Sequence, residues 1–212
     1  MQLIGMLDSP YVRRVAIAMI IARAPFIHRP ISLFRHIDQF SKLNPLLKAP
    51  TLVTDDGVSL MDSNVILDYL ADVEPRIAAL TPSNRPQRLR ALRATGLALT
   101  VMEKAVQRQY ERMLRPPEKQ HGPWVDRVMG QLTAGLSALD AELPGTGWIG
   151  GDLGLADITV ASAFGFAHAV LADVVETGRY PNLGAFCSRA EALPPFRAAP
   201  PEDGATASAI AD

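Results

Sequence analysis

The sequence predicts a small α/β domain followed by an all-helical one. Three observations carry this. The first 75 residues alternate short strand-like and helix-like pieces. The stretch "PRIAALTPSNRP", residues 75–86, holds three prolines and no strand pattern. Beyond it apolar residues recur at helical spacing with almost no β signal. The boundary is therefore expected near residues 76–86: a domain at 1–76, a linker at 77–86 and a helical domain at 87–198.

The elements follow in order. "QLIGML" reads as a strand. "PYVRRVAIAMIIAR" places Val12, Val15, Ala16, Met19 and Ile20 on one helical face. "FIHRPISL" reads as a second strand, with Pro30 suiting an edge. An irregular link leads to "APTLVTDDGVSLM", two short strands around an Asp56–Gly57 turn. "DSNVILDYLADV" gives a helix with Val65, Ile66, Tyr69 and Leu70 inward. The strand–helix–strand start implies a parallel pair with a right-handed crossover. In the second half, residues 86–114 carry a stripe through Leu89, Leu92, Leu99, Met102, Val106, Tyr110 and Met113. Residues 123–143 carry another through Val125, Val128, Leu132, Leu136, Leu139 and Leu143. "GLADITVASAFGFAHAVLA" is apolar nearly all round and suits a central buried helix. "YPNLGAFCSRAEAL" is a shorter last helix. The Ala- and Pro-rich residues 199–212 read as a disordered tail.

Composition narrows the function. The 212 residues carry 21 Lys and Arg against 22 Asp and Glu, a net charge of −1. That balance argues against a nucleic-acid or anionic-membrane partner. A single cysteine, Cys187, excludes an intrachain disulfide and suits a reducing cytosol. It reads as a small packed apolar group. The start of the chain lacks a basic region and a long apolar run, so no secretory signal is expected. The four histidines show no metal-ligand spacing, so no metal is expected.

Three local features carry candidate chemistry. Ser9 precedes Pro10 at a helix start, a good capping position. The same place favours a bound anion, because the first N–H groups of a helix lack partners and its dipole is positive there. A small thiol docked there would be favoured as thiolate, against an ordinary thiol pKa of about 8.5. The sequence alone leaves cap and site both open. "KAP" at 48–50 precedes a strand, and Pro50 suits a cis turn exposing the backbone of Ala49. Asp62 and Ser63 stand at or next to the next helix start, a second such anion site or an ordinary cap.

These features, in this order, resemble the cytosolic-type (bacterial, serine-type) glutathione transferases. The matching stretches are "SPYVRRV", "NPLLKAPTL", "DSNVILDYL", "GDLGLADITVASAF" and "YPNLGAFCSR", along roughly residues 1–197. The resemblance implies a thioredoxin-like first domain (βαβ-α-ββα) and an all-α second domain. It implies glutathione as co-substrate, a small hydrophobic electrophile as second substrate, a homodimer, and a cytoplasmic, detoxifying role. Ser9 would hydrogen-bond the glutathione sulfur. Ala49, beside a cis Pro50, would pair its backbone with the cysteinyl part. Asp62 would meet the γ-glutamyl ammonium and Ser63 its carboxylate. Lys48 and His36 would reach the glycine carboxylate. Ala49 is smaller than the family's usual residue, and Asp62 is one methylene shorter than the usual glutamate. Gly154 replaces the usual Ser or Thr three residues before Asp157, which removes one half of a capping box.

The resemblance puts the electrophile between the domains. Candidates are Tyr11, Arg108, Tyr110, Arg112 and Met113; an arginine there would favour anionic electrophiles. The plainer assignment has Tyr110 and Met113 in the core and the arginines in solvent. His168 likewise reads first as a satisfied core histidine. Conjugation, peroxide reduction and ether cleavage share this first half. The zeta-type isomerases of the family carry a serine-rich motif with a cysteine near the first helix, which "SPYVRR" lacks. The competing class is a non-catalytic binding or regulatory protein on the same fold, against which the retained Ser9, Pro50, Asp62 and Ser63 argue.

Overall fold

A computed structural model describes residues 1–202, 204 and 206. The chain forms two compact units: residues 1–81 with the described residues from Glu191 onward, and residues 82–190.

The first unit begins β1 (Gln2–Ile4), α1 (Pro10–Ile21), β2 (Ile27–Arg29), α2 (Ile37–Ser41). It continues β3 (Thr51–Val53), β4 (Ser59–Met61), α3 (Ser63–Val73), α4 (Pro75–Ala78). The sheet order is β2-β1-β3-β4, with β1 and β2 parallel and the other pairs antiparallel. β2 lies at the edge, where Pro30 costs no ladder bond. The first strand is shorter than the apolar run "QLIGML". Gly5 has φ +135°, and a Cβ there would lie 2.6 Å from Val12 Cγ2. Only glycine permits that turn and that approach. α2 falls within the stretch expected to be an irregular link. α4 falls in the proline-rich stretch, where Ile77 is fully buried.

α1 is buried along Pro10 and Val12–Met19, arginines included. On α3, Ile66 and Leu70 are fully buried as expected, whereas Val65 is exposed. Leu67 takes its place in the core, because the helix is rolled one position further than the apolar pattern implies.

The second unit holds α5 (Arg85–Leu114), α6 (Gly122–Glu142), α7 (Leu155–Val170) and most of α8 (Pro181–Glu191). Here one expectation fails. Leu89, Leu92, Tyr110 and Met113 of α5 are exposed. Met102 of the expected stripe is fully buried, but the rest of the buried face is Ala91, Ala94, Ala98, Val101 and Ala105. Small side chains let α6 and α7 approach closely, so position outweighs side-chain size. Gly135 of α6 shows the closeness: a Cβ there would lie 2.9 Å from Val101 Cγ2. The α6 stripe is as expected at Val128, Leu132, Leu136 and Leu139. α7 is buried along most of its length. Asp157 is 1% exposed, and its Oδ2 accepts from the Gly154 N–H at 2.8 Å while Oδ1 accepts from Ile149 N–H at 2.9 Å. The half of the capping box that survives a glycine is thus present.

α9 (Pro194–Arg197) returns to the first unit. Of the expected tail, Ala199 is fully buried and its carbonyl accepts from Arg13 Nε at 2.8 Å. Thr206 N–H donates to His28 Nδ1 at 3.0 Å. Residues 203, 205 and 207–212 lie outside the described residues. Among the described residues no helix is long and apolar enough to cross a membrane.

Candidate functional site

Strand register gathers three loops at one end of the sheet. Ile4 pairs with Thr51, and Thr51 with Met61. The residues just beyond those partners are Gly5, Pro50 and Asp62. The β1–α1 turn, the proline loop and the start of α3 therefore share one edge. A Cβ on Gly5 would lie 3.1 Å from Ala49 Cβ, so the first two loops touch.

Ser9 caps α1 from an extended conformation (φ −74°, ψ 121°). Its Oγ accepts from Val12 N–H at 3.4 Å. That is longer than the usual 2.7–3.2 Å, so the cap bond is weak. Acting as acceptor leaves the hydroxyl hydrogen for another partner. Ser9 is half-buried, beside the first-turn N–H groups of α1. The same residue can therefore be cap and site.

The Ala49–Pro50 peptide is cis. The loop leading to it is braced by Asn44, which is 1% exposed. Asn44 Nδ2 donates to Thr51 Oγ1 at 2.9 Å, and its Oδ1 accepts from Leu46 N–H at 3.0 Å. Thr51 Oγ1 donates to the Lys48 carbonyl at 2.6 Å. The Lys48 side chain is exposed, and so is His36. His36 Nδ1 accepts from Ser32 N–H at 3.2 Å, which leaves Nε2 as the outward donor. Asn44 was not singled out from sequence. The signal was the turn-forming Asn-Pro pair ahead of "KAP".

Asp62 caps α3 at φ +71°, a left-handed conformation unusual for a non-glycine residue. Its Oδ1 accepts from Asn64 N–H at 2.8 Å. Asp62 and Asn64 are exposed, whereas Ser63 is 2% exposed. Ser63 Oγ accepts from Arg14 Nη1 at 2.9 Å, and Asn64 Oδ1 accepts from the same nitrogen at 2.9 Å. Arg14, on α1, is 3% exposed. Burial pushes its pKa down to about 10, partly offset by the negative charge of Asp62 and by Tyr11. It stays charged at neutral pH. Sequence reasoning missed Arg14, although two adjacent arginines inside an apolar helix were the available signal.

The electrophile candidates are more scattered in character. Tyr11 is half-buried on the first turn of α1. In the other unit, Arg108 is half-buried, and its Nη1 is shielded from solvent without a hydrogen-bond partner. Arg112 is exposed and donates to Gln109 Oε1 and the Val170 carbonyl. Tyr110 and Met113 are exposed, so the core assignment for them is withdrawn. His168 is exposed and not a core residue; its Nδ1 donates to the Val175 carbonyl at 2.6 Å. Cys187 is buried on α8.

Comparison with known proteins is consistent across the chain. Residues 3–77 match the family model of the glutathione S-transferase N-terminal domain, and residues 122–189 that of the C-terminal domain. Among curated proteins, the maleylacetoacetate isomerase of Pseudomonas aeruginosa is 27% identical over 196 residues, 89% of this chain and 90% of that protein. Glutathione S-transferase GstA of Escherichia coli O157:H7 is 27% identical over 134 residues, 63% of this chain and 64% of that protein. Among solved structures, a glutathione S-transferase of Methylobacterium radiotolerans in complex with glutathione sulfonate superposes with a TM-score of 0.85. It is 28% identical, with 92% of each chain covered. A glutathione S-transferase of Methylobacillus flagellatus with glutathione bound gives 0.84 at 27% identity, covering 93% of this chain and 98% of that one. Both domain models match in order and the fold is shared over nearly the whole length, so this chain belongs to the glutathione S-transferase family.

Proposed function

We propose that the protein is a glutathione transferase that joins the glutathione thiolate to a small apolar electrophile. The observation that carries this is the gathering of Ser9, the cis Ala49–Pro50 peptide and the Asp62–Ser63 helix start at one sheet edge. A tripeptide laid along that edge meets each group it needs. Its thiol meets Ser9 and the N-terminus of α1. There a hydroxyl donor and a positive dipole end favour thiolate over thiol. The cysteinyl backbone pairs with Ala49. The γ-glutamyl ammonium meets Asp62, and its carboxylate meets Ser63 from the exposed side of Asp62 and Asn64. Lys48 and the outward Nε2–H of His36 meet the glycine carboxylate.

The thiolate attacks an electrophilic carbon, a C–S bond forms, and the leaving group departs with the bonding electron pair. Ser9 donates to sulfur throughout and exchanges no proton. Tyr11, Arg108, Tyr110, Arg112 and Met113 are the proposed electrophile contacts. The protein is proposed to act in the cytoplasm as a homodimer, in detoxification, with peroxide reduction or ether cleavage as related outcomes of the same thiolate. The isomerase-named relative keeps isomerisation in the assay, although the one cysteine lies buried on α8 and none stands in "SPYVRR".

Retention on immobilised glutathione, followed by conjugation of a generic aryl halide, tests this. Ser9→Ala should lower kcat/KM by roughly ten- to a hundredfold, the worth of one hydrogen bond to a charged atom. Binding without turnover would favour the non-catalytic alternative. Absence of binding would overturn both.

A further inference from the structure

Met61 stands between two parts of the sheet edge that the proposed contacts use. It is the last residue of β4, directly before Asp62, and its ladder partner is Thr51, directly after Pro50. Thr51 is fully buried, whereas Met61 is only half-buried. The Met61 sulfur reaches inward to Asn44, the side chain that braces the loop through Lys48. Asn44 Nδ2 carries two hydrogens and faces three acceptors: Thr51 Oγ1 at 2.9 Å, the Lys48 carbonyl at 3.4 Å and Met61 Sδ at 3.6 Å. A thioether is the weakest acceptor of the three, so the oxygens hold the amide while the sulfur is reduced. Met6, Met19 and Met102 are buried, and Met113 and Met129 lie on α5 and α6 of the other unit.

We propose that Met61 is a redox-modification site: a hydroperoxide converts its thioether to the sulfoxide, and the new oxygen draws the Asn44 amide away from the loop through Lys48, which lowers glutathione affinity. This rests on the glutathione reading of the site. In the step, the sulfur lone pair attacks the terminal oxygen of the hydroperoxide. The S–O bond forms as the O–O bond breaks, and the proton on that oxygen passes to the departing alkoxide, which leaves as an alcohol (as water when the oxidant is hydrogen peroxide). Sulfur is oxidised and the peroxide reduced by the same electron pair. The sulfoxide is polar, and its oxygen is a stronger acceptor than the thioether. It forms on the atom that already faces Asn44 Nδ2, so one of the two amide hydrogens leaves the loop oxygens for it. The loop that presents the Ala49 backbone is then less firmly held. Methionine sulfoxide reductase restores the thioether, which makes the change reversible.

The whole protein is treated with hydrogen peroxide in the absence of glutathione. Dithiothreitol is then added, which reverses cysteine sulfenate and disulfide but not methionine sulfoxide, and the protein is desalted. Peptide mass mapping and calorimetric titration with glutathione give the readout. Met61 should gain one oxygen, and glutathione affinity should fall about three- to tenfold, the worth of one hydrogen bond. Methionine sulfoxide reductase should restore it. Met61→Leu nearly conserves the volume and should bind glutathione within about twofold of the wild type, before and after peroxide. Met129→Leu should respond to peroxide as the wild type does. Met61→Gln carries a polar oxygen of similar reach and should weaken glutathione without any peroxide; it covers the case in which Met61→Leu does not fold. A Met61 that stays reduced while Met113 and Met129 are oxidised, an oxidised Met61 with unchanged affinity, or an equal peroxide loss in Met61→Leu would overturn the inference. Failure of the reduced wild-type protein to bind glutathione would instead overturn the reading beneath it, and the mass map would still report whether Met61 is oxidised.

Discussion

Asp157 and the arginine pair of α1 show how burial turns single residues into constraints. Asp157 is held by two backbone N–H groups, yet burial outweighs them and pushes its carboxyl up to about 6 from an ordinary value near 3.8. The folded protein therefore holds this proton more tightly than the unfolded chain does. Its contribution to stability is fully present below pH about 3.8 and is lost as pH rises through about 6. Asp157→Asn should abolish that slope. It should also lower stability at every pH by about 1–3 kcal/mol, because the amide nitrogen faces one of two N–H donors. Thermal unfolding from pH 4 to 7 reads both effects. Ser9, Asp62 and Asp157 were legible because a polar residue at the start of an apolar helix is a local signal. Arg13 and Arg14 were not, because their partners lie 49 to 186 positions away.

At the scale of elements, the Asp56–Gly57 turn and the Ala49–Pro50 peptide redirect the chain where the sequence marks it, whereas the apolar run "QLIGML" hid the end of β1 at Gly5. α5 does not follow so directly. Its length was legible, but of the larger apolar residues assigned to its inward face only Met102 is fully buried, and alanines line most of the rest. Apolar residues occur on several sides of this helix, so periodicity admits more than one face, and only the close approach of α6 and α7 decides. Paired substitutions test this. Ala98→Leu forces a larger side chain into a fully buried seam and should destabilise by about 1–3 kcal/mol. Leu92→Gln, of similar helix propensity and more than half exposed, should stay within about 0.5 kcal/mol. Denaturant unfolding of the two variants at one protein concentration decides between the faces.

At the scale of the whole chain, the segment after Glu191 completes the first unit. Arg13, 2% exposed, is held by both carboxylate oxygens of Glu191 at 2.6 and 2.7 Å and by the Ala199 carbonyl. Ending the chain after Ala190 removes these partners together with the fully buried Phe196 that packs on the guanidinium, and should cost about 3–5 kcal/mol. Glu191→Gln keeps the shape and should cost about 1–2 kcal/mol. His28 makes the same connection titratable. Its Nε2–H donates to the Gly5 carbonyl at 2.8 Å while Nδ1 accepts from Thr206 N–H, an arrangement only the neutral ring can make. Burial holds its pKa below the ordinary 6.5, so near that pH the unfolded chain binds more protons than the folded one. The contribution of His28 is thus present above about 6.5 and is lost as pH falls toward the folded value. Asp157 runs the other way in the other unit. Acidification from neutrality toward pH 4 should therefore weaken the first unit through His28 and relieve the second through Asp157. Hydrogen exchange, corrected for its intrinsic pH dependence and followed separately in α1 and α7, measures this. His28→Gln should flatten the α1 response alone and Asp157→Asn the α7 response alone. If either variant flattens both, the two units unfold as one at acid pH and the separate assignments fail.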